Sequence, residues 1–258
     1  MFLTADYHTH TTFTHGKDRV MDNAFSAKEK GLKELGIAEH GFSHPVFGLN
    51  RNKLVKFRKE CEEATKETGI PVKMGIESNI IGVDGSVDLK EKDYDKFDTF
   101  FAGIHKFILY KPKTCFSLFI PNFVNSTLKR KEVSKRLINE NTKTFINVIK
   151  NNPVDMITHL NFCCFADSLE VAKVASDYGT YIELNSKKTH LTDEELNEIA
   201  IKTKVNFLIS SDAHSKDRVA EISLVEKLLS RVEIDKERIH NIDGRLPNFR
   251  FTAFKEGK

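Results

Sequence analysis

Seven short apolar runs in this chain end on or beside a residue able to ligate a metal ion, and that coincidence restricts the possible folds more than any other feature. The runs are Leu3–His8, Leu35–His40, Val72–Glu77, Thr99–His105, Val154–His159, Thr180–Asn185 and Asn206–Asp212. Six finish in His, Glu or Asp, and the remaining one finishes in Asn185, two residues after Glu183. They are dense in Val, Ile, Leu and Phe, as strands buried on both faces should be. Between them lie stretches with helical spacing: Val20–Lys30 before Gly31, Lys53–Glu67 before Gly69, Lys131–Lys150, Ser168–Tyr178 before Gly179, Asp193–Lys202 and Arg218–Arg231. Glycine just past a helix is a natural stop, and Thr192 followed three residues later by Glu195 has the pattern of a capping box. Strands that alternate with helices pair in parallel, because a parallel pair needs a crossover that a helix supplies. In a closed parallel barrel the polar strand ends converge on one face. An irregular seven-stranded α/β barrel with its site at the C-terminal strand ends is therefore expected.

A length of 258 residues with 40% apolar content suits one domain spanning 1–258. Forty basic against 37 acidic residues, a formal charge of +3, is too balanced to demand a nucleic-acid or membrane surface. No apolar run approaches the roughly 20 residues of a membrane span, and Met1 to Asp6 turns polar within a few residues, so a cytoplasmic location is expected. Cys61, Cys115, Cys163 and Cys164 show no C-x-x-C spacing and read as reduced, partly buried thiols. The stretch Lys106–Arg130 interrupts the rhythm with five aromatic residues among lysines and prolines, a lid or a packing helix. Ile239–Lys258 reads as a loosely structured tail.

Nine residues make up the candidate metal set: His8, His10, His15, His40, Glu77, His105, His159, Asp212 and His214. Alternate residues of a strand share a face, so His8 and His10 can reach one pocket. A single histidine is usually an ordinary surface or hydrogen-bonded residue, and only the combination at strand ends points to a polynuclear site. His44 is a weaker candidate for the pocket, while His190 and His240 read as surface residues.

The chain resembles the PHP (polymerase and histidinol phosphatase) superfamily of metal-dependent phosphoesterases. The resemblance is carried by His8-Thr9-His10 with His15, by Ala38-Glu39-His40-Gly41 with Gly75-Ile76-Glu77, by Gly103-Ile104-His105 with Thr158-His159, and by Ser211-Asp212-Ala213-His214-Ser215. It implies a distorted TIM-like (β/α)7 barrel holding three divalent ions. One would be held by His8, His10, Glu77 and Asp212, a second by Glu77, His105 and His159, and a third by His15, His40 and His214, with Glu77 bridging the first two. Imidazole with carboxylate suits Zn, Mn or Fe. Glu39 stands where aspartate is common in that superfamily, a departure expected to touch substrate choice.

Three such ions against two carboxylates leave an excess of positive charge that fits a phosphate dianion. The implied reaction is hydrolysis of a small phosphomonoester, histidinol phosphate among the candidates, by a metal-bridging hydroxide formed near neutral pH. Lys106, Lys187, Lys188 and Arg218 are expected to grip phosphate oxygens, and metal-bound water, Asp212 or His214 to handle the leaving-group proton. A nuclease acting on nucleotides or single-stranded ends is the enzymatic alternative, disfavoured by the missing basic track, and a non-catalytic metal-stabilised regulatory domain is the other. A metal-dependent amidohydrolase would commonly bridge its ions with a carboxylated lysine, where this chain offers Glu77.

Overall fold

A computed structural model of the chain describes residues 1–127 and 133–257. It forms a parallel sheet whose strands follow one another in sequence order: β1 (Ala5–Thr9), β2 (Glu34–His40), β3 (Val72–Asn79), β4 (Thr99–Gly103), β5 (Met156–Ile157), β6 (Tyr181–Asn185) and β7 (Phe207–Ser210). The sheet curls until its edges meet. Thr9 bridges Ala213 in parallel, and the His10 N–H donates to the Ala213 carbonyl at 2.8 Å. The outcome is the expected distorted TIM-like (β/α)7 barrel, nearly closed, with every strand end of the candidate set on one rim.

The crossovers are α1 (Val20–Glu29), α2 (Leu54–Thr68), α3 (Pro112–Thr114) running through a π-helical turn at Cys115–Phe119 into α4 (Ile120–Thr127), α5 (Lys135–Asn151), α6 (Ser168–Tyr178), α7 (Asp193–Lys202) and α8 (Ser223–Leu229), with α9 (Arg250–Lys255) at the end. Helices α2 and α6 stop at Gly69 and Gly179, whose φ of 77° and 69° is left-handed backbone that glycine adopts without penalty. The capping box of α7 forms: Glu195 N–H donates to Thr192 Oγ1 at 3.1 Å and Thr192 N–H to Glu195 Oε2 at 2.8 Å.

Two apolar layers result. Outward-facing strand residues pack with the helices in a large core that includes Phe57, Phe100, Phe145 and Phe207. Inside the barrel, Ala5, Tyr7, Ala38, Phe101, Met156, Tyr181 and Leu208 form a separate plug with Phe249 against it. Because this plug fills the lower half of the barrel, the polar residues above it have a dry floor.

Register matters at β1. Ala5 and Tyr7 face the interior, so strict alternation would turn His8 and His10 outward. The pairing of β1 with β2 shifts between Asp6 and Thr9, and an extra residue of this kind reverses the facing of all that follow. The two histidines thus enter the barrel directly above Tyr7.

Two expectations change, and one alternative left open is narrowed. The tail is not loose: Leu3 bridges Ile242, Phe207 bridges Ile239, and Phe251 is fully buried. Phe249 sits against the interior plug with its ring centroid 4.9 Å from that of Tyr7, while Phe251 packs on Phe100 and Tyr94 in the outer core. The helix expected over Arg218–Arg231 begins only at Ser223, because Ala220 sits in left-handed backbone at φ 59° with its N–H held by Asp6 Oδ2. The stretch after His105 is largely helical and packs on α5 through Asn122, which exchanges hydrogen bonds of 2.8 and 3.0 Å with Asn141; Arg130 and Lys131 lie outside the described residues. Among the described residues no helix is long and apolar enough to cross a membrane.

Candidate metal centre

Glu77, at the end of β3 and fully buried, is the hub of the rim. Its Oε2 lies 2.9 Å from His40 Nδ1, 3.2 Å from His105 Nε2, 3.4 Å from His8 Nε2 and 3.8 Å from His10 Nε2, while Oε1 is 2.7 Å from His159 Nε2. Asp212 Oδ1 lies 3.5 Å from His10 Nε2 and 3.3 Å from His214 Nδ1. His15 completes the group, its ring centroid 4.1 Å from that of His214 and 4.7 Å from that of His40. All nine candidates therefore meet.

Whether this set fits metal ions is tested by its unpaired atoms. A buried nitrogen or oxygen without a partner is costly. Among the described residues, His8 Nε2, both ring nitrogens of His10, His15 Nδ1, Glu77 Oε2, His105 Nε2, His159 Nδ1 and His214 Nε2 are buried with no hydrogen-bond partner. Three sets of atoms lie mutually within 4.8 Å, as shared ligands must: His8, His10 and Glu77; His40, Glu77 and His105; His10, His40 and His214. The donor set therefore fits divalent ions.

The far side of several rings supports the same conclusion. A ligand histidine normally gives its other N–H to an acceptor, which fixes tautomer and direction. His8 Nδ1 meets Glu183 Oε1 at 2.6 Å, His105 Nδ1 meets Asn79 Oδ1 at 2.7 Å, and His214 Nδ1 meets the Asp212 carbonyl at 2.9 Å. With the proton assigned to Nδ1 of His8 and His105 by these partners, Nε2 of each of these two rings is the nitrogen left to give a lone pair to a metal when it is deprotonated. Asn79 is itself anchored by Asp88.

Electrostatics divide the cluster. Burial, with His40 and His214 nearby, holds His10 well below the ordinary histidine range; burial pushes His40 down to about 3 and His15 to about 4. These rings are neutral, as ligation requires. At His8 burial acts in the same sense but Glu77 and Glu183 overcome it and raise the ring well above its usual value. Burial would raise Glu77, yet His105, His8 and His159 keep it an anion. The barrel thus encloses carboxylates that call for positive charge beside imidazoles free to coordinate it.

Backbone geometry is specialised here. Of the seven non-glycine residues with positive φ among the described residues, His159 (32°) and Asp212 (46°) are in the candidate set and Phe107, Asn161 and Cys163 flank it. Strained backbone of this kind concentrates at functional sites. Gly103 contributes space, since a Cβ there would lie 2.8 Å from His159 Cε1 and 2.3 Å from Thr158 Oγ1.

The other expected residues fall into place unevenly. Lys187 Nζ reaches Asp212 Oδ1 at 3.2 Å and His214 Nδ1 at 3.1 Å. Lys106 and Lys188 line the cavity above the cluster, together with His44. Arg218 is not brought there; it lies outside the cavity lining, exposed, 4.0 Å from Glu221 on the 3-10 turn before α8. His190, expected at the surface, also lines the cavity with its ring 5.2 Å from that of Phe162, whereas His240 sits by the Tyr181 hydroxyl, 2.9 Å away. Glu39 is buried away from the cavity, accepting from the Thr11 N–H at 2.9 Å and from the hydroxyls of Thr11 and Thr14, so it shapes the loop carrying His15 rather than touching substrate.

Sequence reasoning missed Glu183 and Asn79 as supports of the ligands. The acidic Glu183, two residues before the end of a buried apolar strand, was the available signal; Asn79 offered none.

A model of the PHP domain matches residues 6–187. The chain is 28% identical over 253 residues to a protein of Caldanaerobacter subterraneus described as "Probable phosphatase", covering 93% of this chain and 87% of that one. It is 26% identical over 253 residues to a "Probable phosphatase" of Clostridium botulinum, covering 93% and 91%. Among solved structures, histidinol phosphate phosphatase of Lactococcus lactis, complexed with zinc, L-histidinol and phosphate, superposes with a TM-score of 0.60 at 14% identity over 91% of this chain and 95% of that one.

Proposed function

This chain belongs to the PHP domain family, and from that premise we propose that it is a metal-dependent phosphatase hydrolysing small phosphomonoesters at the rim of the barrel. The observation that carries the reading is the convergence of nine candidate side chains, seven of which (His8, His10, His15, Glu77, His105, His159 and His214) hold a buried nitrogen or oxygen without a hydrogen-bond partner among the described residues. Names of relatives add phosphatase activity, and the zinc complex of a fold neighbour adds a metal of the class the donors favour.

Three divalent ions, zinc, manganese or iron, are assigned to the set: His8, His10, Glu77 and Asp212; Glu77, His105 and His159; His15, His40 and His214. Ions held there supply Lewis acidity toward phosphoryl oxygens and bring the ionisation of water into the neutral range.

The protein's own contribution is positional. Glu183 and Asn79 aim His8 and His105. Lys187, between Asp212 and His214, places an ammonium where a phosphate oxygen would enter, and Lys106 and Lys188 add positive charge at the mouth, which draws a dianion inward. Asp212 and His214 are assigned the handling of the leaving-group proton, with Lys187 Nζ in hydrogen-bond reach of both.

The test combines two measurements. Protein reconstituted with zinc or manganese is analysed for bound metal and assayed with p-nitrophenyl phosphate before and after chelation. Bound metal with chelator-sensitive hydrolysis supports the reading. A barrel that takes up no metal, or a metal-loaded protein that releases no phosphate from any monoester, overturns it.

A further inference from the structure

A phosphate group fills only a small part of the cavity above the metal centre, which has a volume of about 500 Å³, within the range of sites that enclose a whole small ligand. The remainder must receive the organic half of the ester. On one side Phe47 packs against His15 and His44, ring centroids 4.8 and 5.0 Å away. Across from it Phe162 packs against His159 and His190, 5.2 Å from each. At the mouth Phe107 stands 60% exposed, held in left-handed backbone at φ 59°. That much uncovered aromatic surface beside a cavity is a ready partner for a flat apolar group.

The charges of the lining are one-sided. Among the described residues the only carboxylates lining the cavity are Glu77 and Asp212, both committed to the metal set, whereas Lys106, Lys187 and Lys188 all face it. An ammonium on the leaving group would lose water without gaining a carboxylate and would sit among like charges, a costly combination.

Resting on the phosphatase reading, we infer that the site selects monoesters whose leaving group is flat, apolar and free of positive charge, and that it discriminates against amino-alcohol phosphates. Phe47, Phe107 and Phe162 supply the attraction, and the three lysines supply the rejection.

Leaving-group reactivity must be held similar, so the metal-loaded full chain is assayed with benzyl phosphate, glycerol 2-phosphate, O-phosphoethanolamine and histidinol phosphate, all esters of ordinary alcohols. The expected kcat/KM for benzyl phosphate exceeds that for O-phosphoethanolamine by about tenfold or more, with histidinol phosphate also below benzyl phosphate. Phe47→Ala and Phe107→Ala each lower the benzyl-to-ethanolamine ratio by about fivefold, and Lys106→Glu lowers it by improving the ammonium ester. Equal use of the cationic and apolar esters, or aromatic variants that slow both alike, overturns this inference while leaving the phosphatase reading standing. No turnover of any ester by metal-loaded protein overturns both.

Discussion

Glu183 accepts a hydrogen bond from Nδ1 of His8 at 2.6 Å, and the opposite nitrogen of the same ring faces Glu77 at 3.4 Å. One carboxylate thus orients the ring that the other shares a site with. Glu183 is fixed in turn by the His159 N–H at 2.5 Å, by Asn185 Nδ2 at 3.1 Å and by the Ser210 hydroxyl, so it ties four strands to the direction of one imidazole.

Glu183→Gln tests this support. Its new amide N–H2 would face either the His159 and Asn185 donors or the His8 Nδ1–H, since both carboxylate oxygens currently accept. Metal affinity is expected to fall about 10–100-fold with the fold retained, read by metal titration alongside circular dichroism. Unchanged affinity would show that His8 needs no such partner.

Glu77→Gln removes the hub. Five imidazoles face this carboxylate, and the variant should lose the ions it shares, with kcat/KM down at least about 100-fold. Elemental analysis of the purified variant decides: full metal stoichiometry would rule out Glu77 as the bridge. His10→Ala should likewise abolish turnover in a folded protein, and retained activity would remove His10 from the set.

Gly103→Ala is the smallest change that reaches the site. The added methyl would press on Thr158 Oγ1 and the His159 ring, and crowding of this kind costs about 1–3 kcal/mol. A lowered melting temperature together with reduced metal occupancy is expected. Normal occupancy at normal stability would mean that His159 has room the geometry does not show.

Asp155 gives a pH dependence separate from the metal centre. Its carboxyl accepts from the Phe100 and Phe251 N–H groups at 2.9 and 2.8 Å, but burial outweighs these bonds and raises it to about 7. The native state therefore holds a proton that the unfolded chain releases near pH 4, so this group's contribution declines as pH rises from about 4 to about 7. Asp155→Asn lacks that decline, and its stability relative to the parent should improve across the same window in denaturant titrations. A difference that does not vary with pH would contradict the assignment.

Much of the barrel was legible because it rests on local rules. A run of β-branched and aromatic residues ending in a ligating side chain marks a strand and its C-terminal end, and the alternation of such runs with helical spacing fixes parallel order. The gathering of the candidate residues at strand ends followed from that order, while His15 and His214 reach the rim on the loops that follow β1 and β7. The tail and Arg218 were misread because neither depends on local pattern: Phe251 is buried by Phe100 and Tyr94, residues remote in sequence, and Arg218 lies on a 3-10 turn that leaves it exposed beside Glu221.

What the chain determines by itself, then, is which residues reach the rim; what tertiary structure decides is which way they point. The register shift in β1 turns His8 and His10 inward, and the positive φ of His159 brings its ring to Glu77 from a position that simple alternation would send outward. Glu183 and Asn79 become ligand supports because neighbouring strands place them behind the rings. Each of these depends on hydrogen bonds and sterics between segments remote in sequence, whose energies no local pattern encodes.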